Sequence, residues 1–366
     1  MTPDPGLASW LQLTLSPGIG AAALRAMLRQ YGLPQEILKR KRGELVAYAT
    51  GEALAALDSQ EVHDAVARAL EWAAAPGHAI ITLADDIYPR ALLETADPPA
   101  VLYAVGRVEL VRGPALAIVG SRNATAQGER NAESFAKALS EAGLTIVSGL
   151  ALGIDAAAHR GGLAGPGSTI AVLGTGIDVV YPRRNAELAT QIIARGLLLS
   201  EFALGTAPLA QNFPRRNRLI SGLAQGCLVV EAAVASGSLI TARSAADQGR
   251  EVFAIPGSIH SPLSRGCHTL IKSGAKLVES ADDVLAELSG FRPSGFASTT
   301  ATRSEPREDG LLRHMGHDPV DVDSLCSRAG LSAEQVSSEL LRLELDGRIT
   351  SLPGGLYQRL EKGESR

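Results

Sequence analysis

From Ala115 onward the chain alternates short, wholly apolar runs with longer amphipathic stretches. The runs are Ala115–Val119, Thr145–Ser148, Thr169–Leu173, Gly196–Ser200, Cys227–Val230, Glu251–Ile255 and Ala275–Val278. A strand with one wet face would alternate polar and apolar residues; these do not, so both faces are buried. Helical segments between them cover those faces. The pattern predicts an α/β fold, an extended Rossmann-like, doubly wound and mostly parallel sheet. Residues 76 to 110 add an edge to it, and the βαβ pattern ends near Ser289.

The flanks read differently. Residues 7 to about 75 carry helical periodicity and form an N-terminal helical domain, 1–75, ahead of the sheet domain, 76–289. In it Leu15-Ser16-Pro17-Gly18-Ile19-Gly20 resembles the turn of a helix-hairpin-helix module, which presents backbone N–H groups to a phosphate. Six basic residues against three acidic ones before position 51 suit DNA contact; they suit a small helical adaptor equally, and the adaptor is preferred. Residues 290–308, rich in Ser, Thr, Pro and Arg, read as a linker. Residues 309–366 show helix, helix, turn, helix and a glycine-closed hairpin, a winged-helix pattern. Its third helix carries Glu334, Glu339, Glu344 and Asp346 against Arg342. Residues 307–366 hold eight basic and eleven acidic side chains, so phosphates are repelled and a protein-contact or structural role is expected.

Charge changes the picture only locally. The chain of 366 residues has a net charge of −4, so a polyanion site must be a patch. That patch is visible. No acidic residue occurs from Phe202 to Val230, and the window holds Asn212-Phe213-Pro214-Arg215-Arg216-Asn217-Arg218 at the start of an apolar helix. Guanidiniums fork onto phosphate oxygens, and a ring stacks under an unpaired base. Tyr181-Pro182-Arg183-Arg184-Asn185 adds two more arginines.

Ligands of a doubly wound sheet sit at the carboxyl ends of its strands. Four glycine-rich turns fall there: Gly120-Ser121-Arg122-Asn123, Ser148-Gly149 through Gly153-Ile154-Asp155, Gly174-Thr175-Gly176, and Ser236-Gly237-Ser238 with Thr241. Such turns bring backbone N–H groups close to an anion. With Arg122, Arg183, Arg184, Arg215, Arg216 and Arg218, the rim could present six guanidiniums, one or two of them expected to pair with Glu187, Glu201 or Glu231.

Other chemistry finds little support. There is neither a Walker A loop nor a Gly-x-Gly-x-x-Gly turn, and no cofactor is expected. His159 follows Asp155 by four residues on one helical face and reads as a helix-capping partner rather than an acid–base pair. His260 and Cys267-His268 lack a third metal ligand. Ser236 and Ser238 have no evident base, so no catalytic residue is assigned. The three cysteines (Cys227, Cys267 and Cys326) suit no disulfide framework. With no signal peptide and no membrane-length apolar run, a cytoplasmic protein is expected.

The order and spacing of these motifs resemble the DprA family (also called Smf), the DNA-processing proteins of natural transformation. The resemblance spans residues 76–289. It is carried by Ala117-Ile118-Val119-Gly120-Ser121-Arg122, Ser148-Gly149 through His159, Leu173-Gly174-Thr175-Gly176 with Tyr181-Pro182, Asn212 through Arg218, Ser236 through Ala242, and Ala254-Ile255-Pro256-Gly257. It implies a non-enzymatic protein that binds single-stranded DNA, protects it and loads the RecA recombinase. It further implies a homodimer through the Rossmann domain, with its face in about residues 244–276. Arg122, Arg183, Phe213 and Arg215 to Arg218 match the family's DNA-contacting segments. The competing reading is a nucleotide N-glycosidic hydrolase, by fold-level analogy, with Glu231 beside Ser236-Gly237-Ser238 as its site.

Overall fold

A computed structural model describes residues 5–288, 310–316 and 318–360. The expected linker, 290–308, lies outside the described residues. Six helices open the chain: α1 (Pro5–Leu15), α2 (Ala21–Tyr31), α3 (Pro34–Leu38), α4 (Arg42–Leu45), α5 (Gly51–Ala56) and α6 (Gln60–Ala73). Ser59 starts α6 by accepting a hydrogen bond from the Val62 N–H, and Thr50 starts α5 in the same way. Their apolar faces do not close on themselves. Leu11, Leu13, Met27 and Leu54 share one cluster with Val101, Tyr103 and Leu198 of the sheet. The helical region is therefore packed onto the sheet's outer end.

The sheet has nine strands: β1 (His78–Thr82), β2 (Val101–Gly106), β3 (Ala115–Val119), β4 (Thr145–Ser148), β5 (Thr169–Val172), β6 (Leu197–Ser200), β7 (Gly226–Val229), β8 (Glu251–Ala254) and β9 (Lys276–Leu277). The seven strands from β3 onward fall within a residue of the apolar runs. Their order is β1-β2-β6-β5-β4-β3-β7-β8-β9, with the β1–β2 and β2–β6 pairings antiparallel and the other six parallel. The short α7 (Arg90–Leu93) lies between β1 and β2; α8 (Ala126–Glu141), α9 (Ile154–Ala164), α10 (Ala186–Arg195), α11 (Asn212–Gly222), α12 (Gly237–Asp247), α13 (Arg265–Lys272) and α14 (Ala281–Glu287) follow.

β3 shows why its run is wholly apolar. Leu116 and Ile118 face Phe135, Leu139 and Ile154 on one side, while Ala117 and Val119 face Leu219, Leu239 and Ala242 on the other. The chain winds outward from β3 to β6, then returns to lay β7 against the other side of β3, with Val119 opposite Val229. This reversal is the switch point at which a crevice opens beyond the strand ends.

In the C-terminal region the described elements are a 3₁₀ turn at Leu311–His314, β10 (Val320–Asp321), α15 (Val322–Ala329), α16 (Ala333–Leu345), β11 (Ile349–Leu352) and β12 (Leu356–Arg359). The first of the three expected helices is thus a single 3₁₀ turn, cut short before Gly316 and Pro319. The hairpin turns through Gly354 and Gly355, both with positive φ, as expected of a wing.

Candidate nucleic-acid interface

The crevice at the switch point has a volume of about 690 Å³ and is walled by the turns after β3 and β4, the start of α11 and the start of α12. Gly120, Ser121 and Arg122 line it from the first turn, and Ala151 and Asp155 from the second. Phe213 and Asn217 line it from α11, and Ser236, Gly237, Ser238 and Thr241 from α12, so four separate stretches of sequence converge. A larger hollow of about 1040 Å³ includes Thr125, Glu231 and Glu279 but no Lys or Arg in its wall, which makes it a poor polyanion site.

The turn after β4 is held from several sides. The Asp155 carboxylate accepts from the Gly149 and Ala151 N–H groups at 3.1 and 3.4 Å, and His159 Nε2 accepts from Leu150 N–H at 3.2 Å. This fixes the tautomer: His159 carries its proton on Nδ1 and donates it to Thr169 Oγ1, 2.7 Å away. Asn185 Nδ2 donates to the Leu150 and Ala151 carbonyls. The clamp holds Leu150, fully buried, at φ +57°. Asp155 and His159 are therefore loop organisers; neither caps α9, whose N-cap is Gly153 without a side-chain bond, which corrects the capping role expected of them. Burial, with Arg216 and Arg160 nearby, pushes His159 down to about 3, so it stays neutral.

Two glycines show why this turn needs them. Gly153 has φ +69°, and a Cβ there would lie 2.4 Å from the Ser121 carbonyl. A Cβ on Gly149 would lie 1.9 Å from Arg216 Nη1. The guanidinium of Arg216 lies where that methyl would go.

The six arginines divide. Arg122, Arg183 and Arg184 are exposed and form no ion pair among the described residues. Arg122 stands over the Phe213 ring at 5.6 Å, and Tyr181, exposed, lies 5.8 Å from the same ring. Phe213 lies against Gly174, where a Cβ would come within 2.8 Å of the ring. The other three are not free. Arg216 is buried and donates to the Val172 carbonyl at 2.6 Å, facing the Asp155 charge; burial brings its pKa down to about 10, which leaves it protonated at neutral pH. Glu201, with only 2% of its side chain exposed, takes both Arg215 at 3.1 Å and Arg218 at 2.5 Å. Arg218 also pairs with Asp97.

The expectation of an open six-arginine rim is thereby corrected. Two arginines pair with Glu201, as anticipated in number, but Arg216 lies inside the protein, and so does Asn185. The acid-free window explains the misreading: the counter-charge Glu201 stands one residue before it and Asp155 far upstream. Only the strand ends bring them together.

Comparison with known proteins decides what this crevice belongs to. The model of the DNA recombination-mediator protein A family matches residues 79–289, and that of the DprA winged helix domain matches residues 297–355. The chain belongs to the DprA family. The Smf protein of Escherichia coli K12 is 45% identical over 299 residues, 80% of each chain. The DNA processing protein DprA of Streptococcus pneumoniae R6 is 51% identical over 206 residues, 56% of this chain and 73% of that one. The X-ray structure of Streptococcus pneumoniae DprA superposes with a TM-score of 0.68 at 39% identity, covering 77% of this chain and 98% of that one. A Helicobacter pylori DprA structure, described for its single-stranded DNA binding mode, matches with a TM-score of 0.51 at 30% identity over 56% of this chain and 93% of its own. This DprA-family chain thus has the family's Rossmann-type sheet and winged helix. Among its described residues, no helix is long and apolar enough to cross a membrane.

Proposed function

We propose that this chain binds single-stranded DNA along the crevice rim and delivers it to the RecA recombinase in the cytoplasm, as a non-enzymatic mediator in natural transformation. The observation that carries the reading is the set of three exposed, unpaired guanidiniums, Arg122, Arg183 and Arg184, around the Phe213–Tyr181 ring pair. Phosphates meet the arginines while a base lies against a ring, a combination that suits an unpaired strand and reads no base edges. Arg215, half occupied by Glu201, and Asn217 extend the rim; the Gly120 and Gly237 N–H groups face the same strand, whereas those of Ser121, Ser236 and Ser238 already donate to the Glu231 and Ala233 carbonyls and to Ser236 Oγ. Gly149, Gly153, Asn185, Arg216 and Thr241 hold these parts in place.

The site is poor for hydrolysis. Both Glu231 oxygens are taken by Thr125, one by its N–H at 2.9 Å and one by its hydroxyl at 2.6 Å. That carboxylate anchors α8 instead of facing the crevice. Ser236 and Ser238 share a hydroxyl–hydroxyl bond at 2.7 Å, and no histidine lines the crevice. Leu277, half-exposed on the edge strand β9, and α13 beside it support a homodimer contact at that end.

The test is a salt-dependent titration of a poly-dT oligonucleotide and of a duplex. Wild type is expected to prefer the single strand with a steep salt slope, which Arg122→Ala flattens. Preference for duplex sinks the reading, and release of free base from nucleoside monophosphates that Glu231→Gln abolishes would install the hydrolase in its place.

A further inference from the structure

Four basic residues of the N-terminal helical region are held in ion pairs. Lys39 pairs with Glu36, Arg40 with Glu44 and Arg42 with Asp58, all on the surface of the region itself. Arg25, on α2, does something else. It crosses to Asp97, in the connection between β1 and β2, and Asp97 also pairs with Arg218 of the DNA rim at 3.4 Å. One carboxylate oxygen serves each arginine. The backbone carbonyl of Asp97 accepts from Arg218 as well. Arg250 pins the same connection through Glu94 at 3.0 Å and the Ala91 carbonyl at 2.9 Å.

Three features of this arrangement point to an anion site with a placeholder in it. Two guanidiniums from different parts of the chain converge on one carboxylate, the geometry with which arginines hold a phosphate. The side chains of Arg25 and Arg218 are 17% and 16% exposed, whereas Asp97, between them, is 42% exposed. Asp97 is also an incomplete partner. Arg218 Nε is buried without a hydrogen bond, since its contact with Asp97 is a charge pair at 3.4 Å. A tetrahedral phosphate has more oxygens than a carboxylate and can reach that N–H. Arg218 follows Phe213 by five positions on α11, about 7.5 Å along the helix axis and about 140° around it, so a strand that meets both must pass round the start of the helix.

We propose that Arg25 and Arg218 form a second phosphate site for the bound strand, and that Asp97 occupies it in the free protein and gives way to the phosphodiester. The site rests on the single-strand reading above and adds to it a residue of the N-terminal region. Asp97 thereby sets how tightly the rim holds DNA, and the N-terminal helices have a direct reason to lie where they do.

The experiment is a poly-dT titration across salt with full-length Arg122→Ala, Asp97→Asn, Arg25→Ala, and Asp97→Asn with Arg25→Ala. Asp97→Asn is expected to raise affinity several-fold, because the phosphate no longer has to displace a carboxylate. Adding Arg25→Ala removes that gain. Arg25→Ala alone, which leaves Asp97 on Arg218, lowers the salt slope by about 0.7, the value of one lost single-strand phosphate contact. This arm stands even where Asp97→Asn folds poorly, a point that thermal unfolding of each variant decides. Unchanged affinity and slope in Arg25→Ala, with Arg122→Ala still weakened, overturns the second site and leaves the rim intact. If Arg122→Ala binds like wild type as well, the single-strand reading falls and this site goes with it.

Discussion

Arg183-Arg184 and Arg215-Arg216-Arg218 look alike as sequence, two short basic clusters following apolar strands, yet the fold uses them oppositely. The first pair stands in solvent with no carboxylate against it. The second group is anchored: Arg216 inside the sheet's edge against Val172, Arg215 and Arg218 on Glu201. Mutation of either cluster weakens DNA binding on the proposed reading, but for different reasons. Loss of a free arginine removes a phosphate contact. Loss of Arg216 first disturbs the glycine turn after β4, against which its guanidinium packs. The difference teaches that a binding rim needs two kinds of cation, those that meet the ligand and those that hold the loops presenting it.

The sharpest way to break this comparison is Arg216→Ala. Removing a buried cation facing a buried carboxylate leaves Asp155 uncompensated, a situation that costs about 3–5 kcal/mol. Urea unfolding should show a loss of that order, with DNA binding impaired as a consequence. A variant as stable as wild type means that Arg216 is not structural and the division fails.

His159 tests the same scaffold by pH. Its folded-state value of about 3 lies below the ordinary imidazole value of 6.5, so the unfolded chain binds a proton that the native one refuses. Stability is therefore complete above about pH 6.5 and declines on acidification towards pH 3, by about 1.4 kcal/mol per unit from this group. Asp155 works the other way, since burial raises its carboxyl. The His159→Asn variant carries the same Asp155, so the difference between the two unfolding curves isolates the histidine. A pH dependence that is equally steep in the variant contradicts the neutral clamp.

Smaller effects are expected on the exposed side. Arg122→Ala and Arg183→Ala should each reduce the poly-dT salt slope by about 0.7 while changing unfolding free energy by less than about 0.5 kcal/mol. Arg215→Ala should reduce the slope less, because Glu201 already neutralises part of its charge. Equal slopes for Arg122, Arg183 and Arg215 variants erase the distinction between free and anchored arginines.

Much of the fold is legible in the residues alone. β3 to β9 lie within a residue of the apolar runs, because a strand buried on both faces must be apolar throughout. The turns lining the crevice are equally visible, since the doubly wound topology gathers strand ends. Pairing over distance is what the residues conceal. Nothing local tells that Gly149 is small because Arg216 fills its Cβ position, or that Asp97 meets Arg218, 121 positions later in the chain. Thr125 capturing Glu231 is of the same kind, 106 positions apart. Spacing shows which residue types are present; only topology shows which charges are already spent.

The winged helix extends the comparison to a whole domain. α16, the helix that such folds insert into the major groove, shows solvent Leu341 and Leu345, the latter 81% exposed, while Arg342 is held by Glu339 at 2.5 Å. Residues 307–366 are net acidic, so a phosphate backbone approaching them meets repulsion, and the exposed leucines find no counterpart on DNA. Deleting residues 307–366 should therefore leave both poly-dT affinity and its salt slope within error of the full chain. A fall in slope on deletion shows that the wing lends cations to the strand, and that free arginines outside the Rossmann rim share its work.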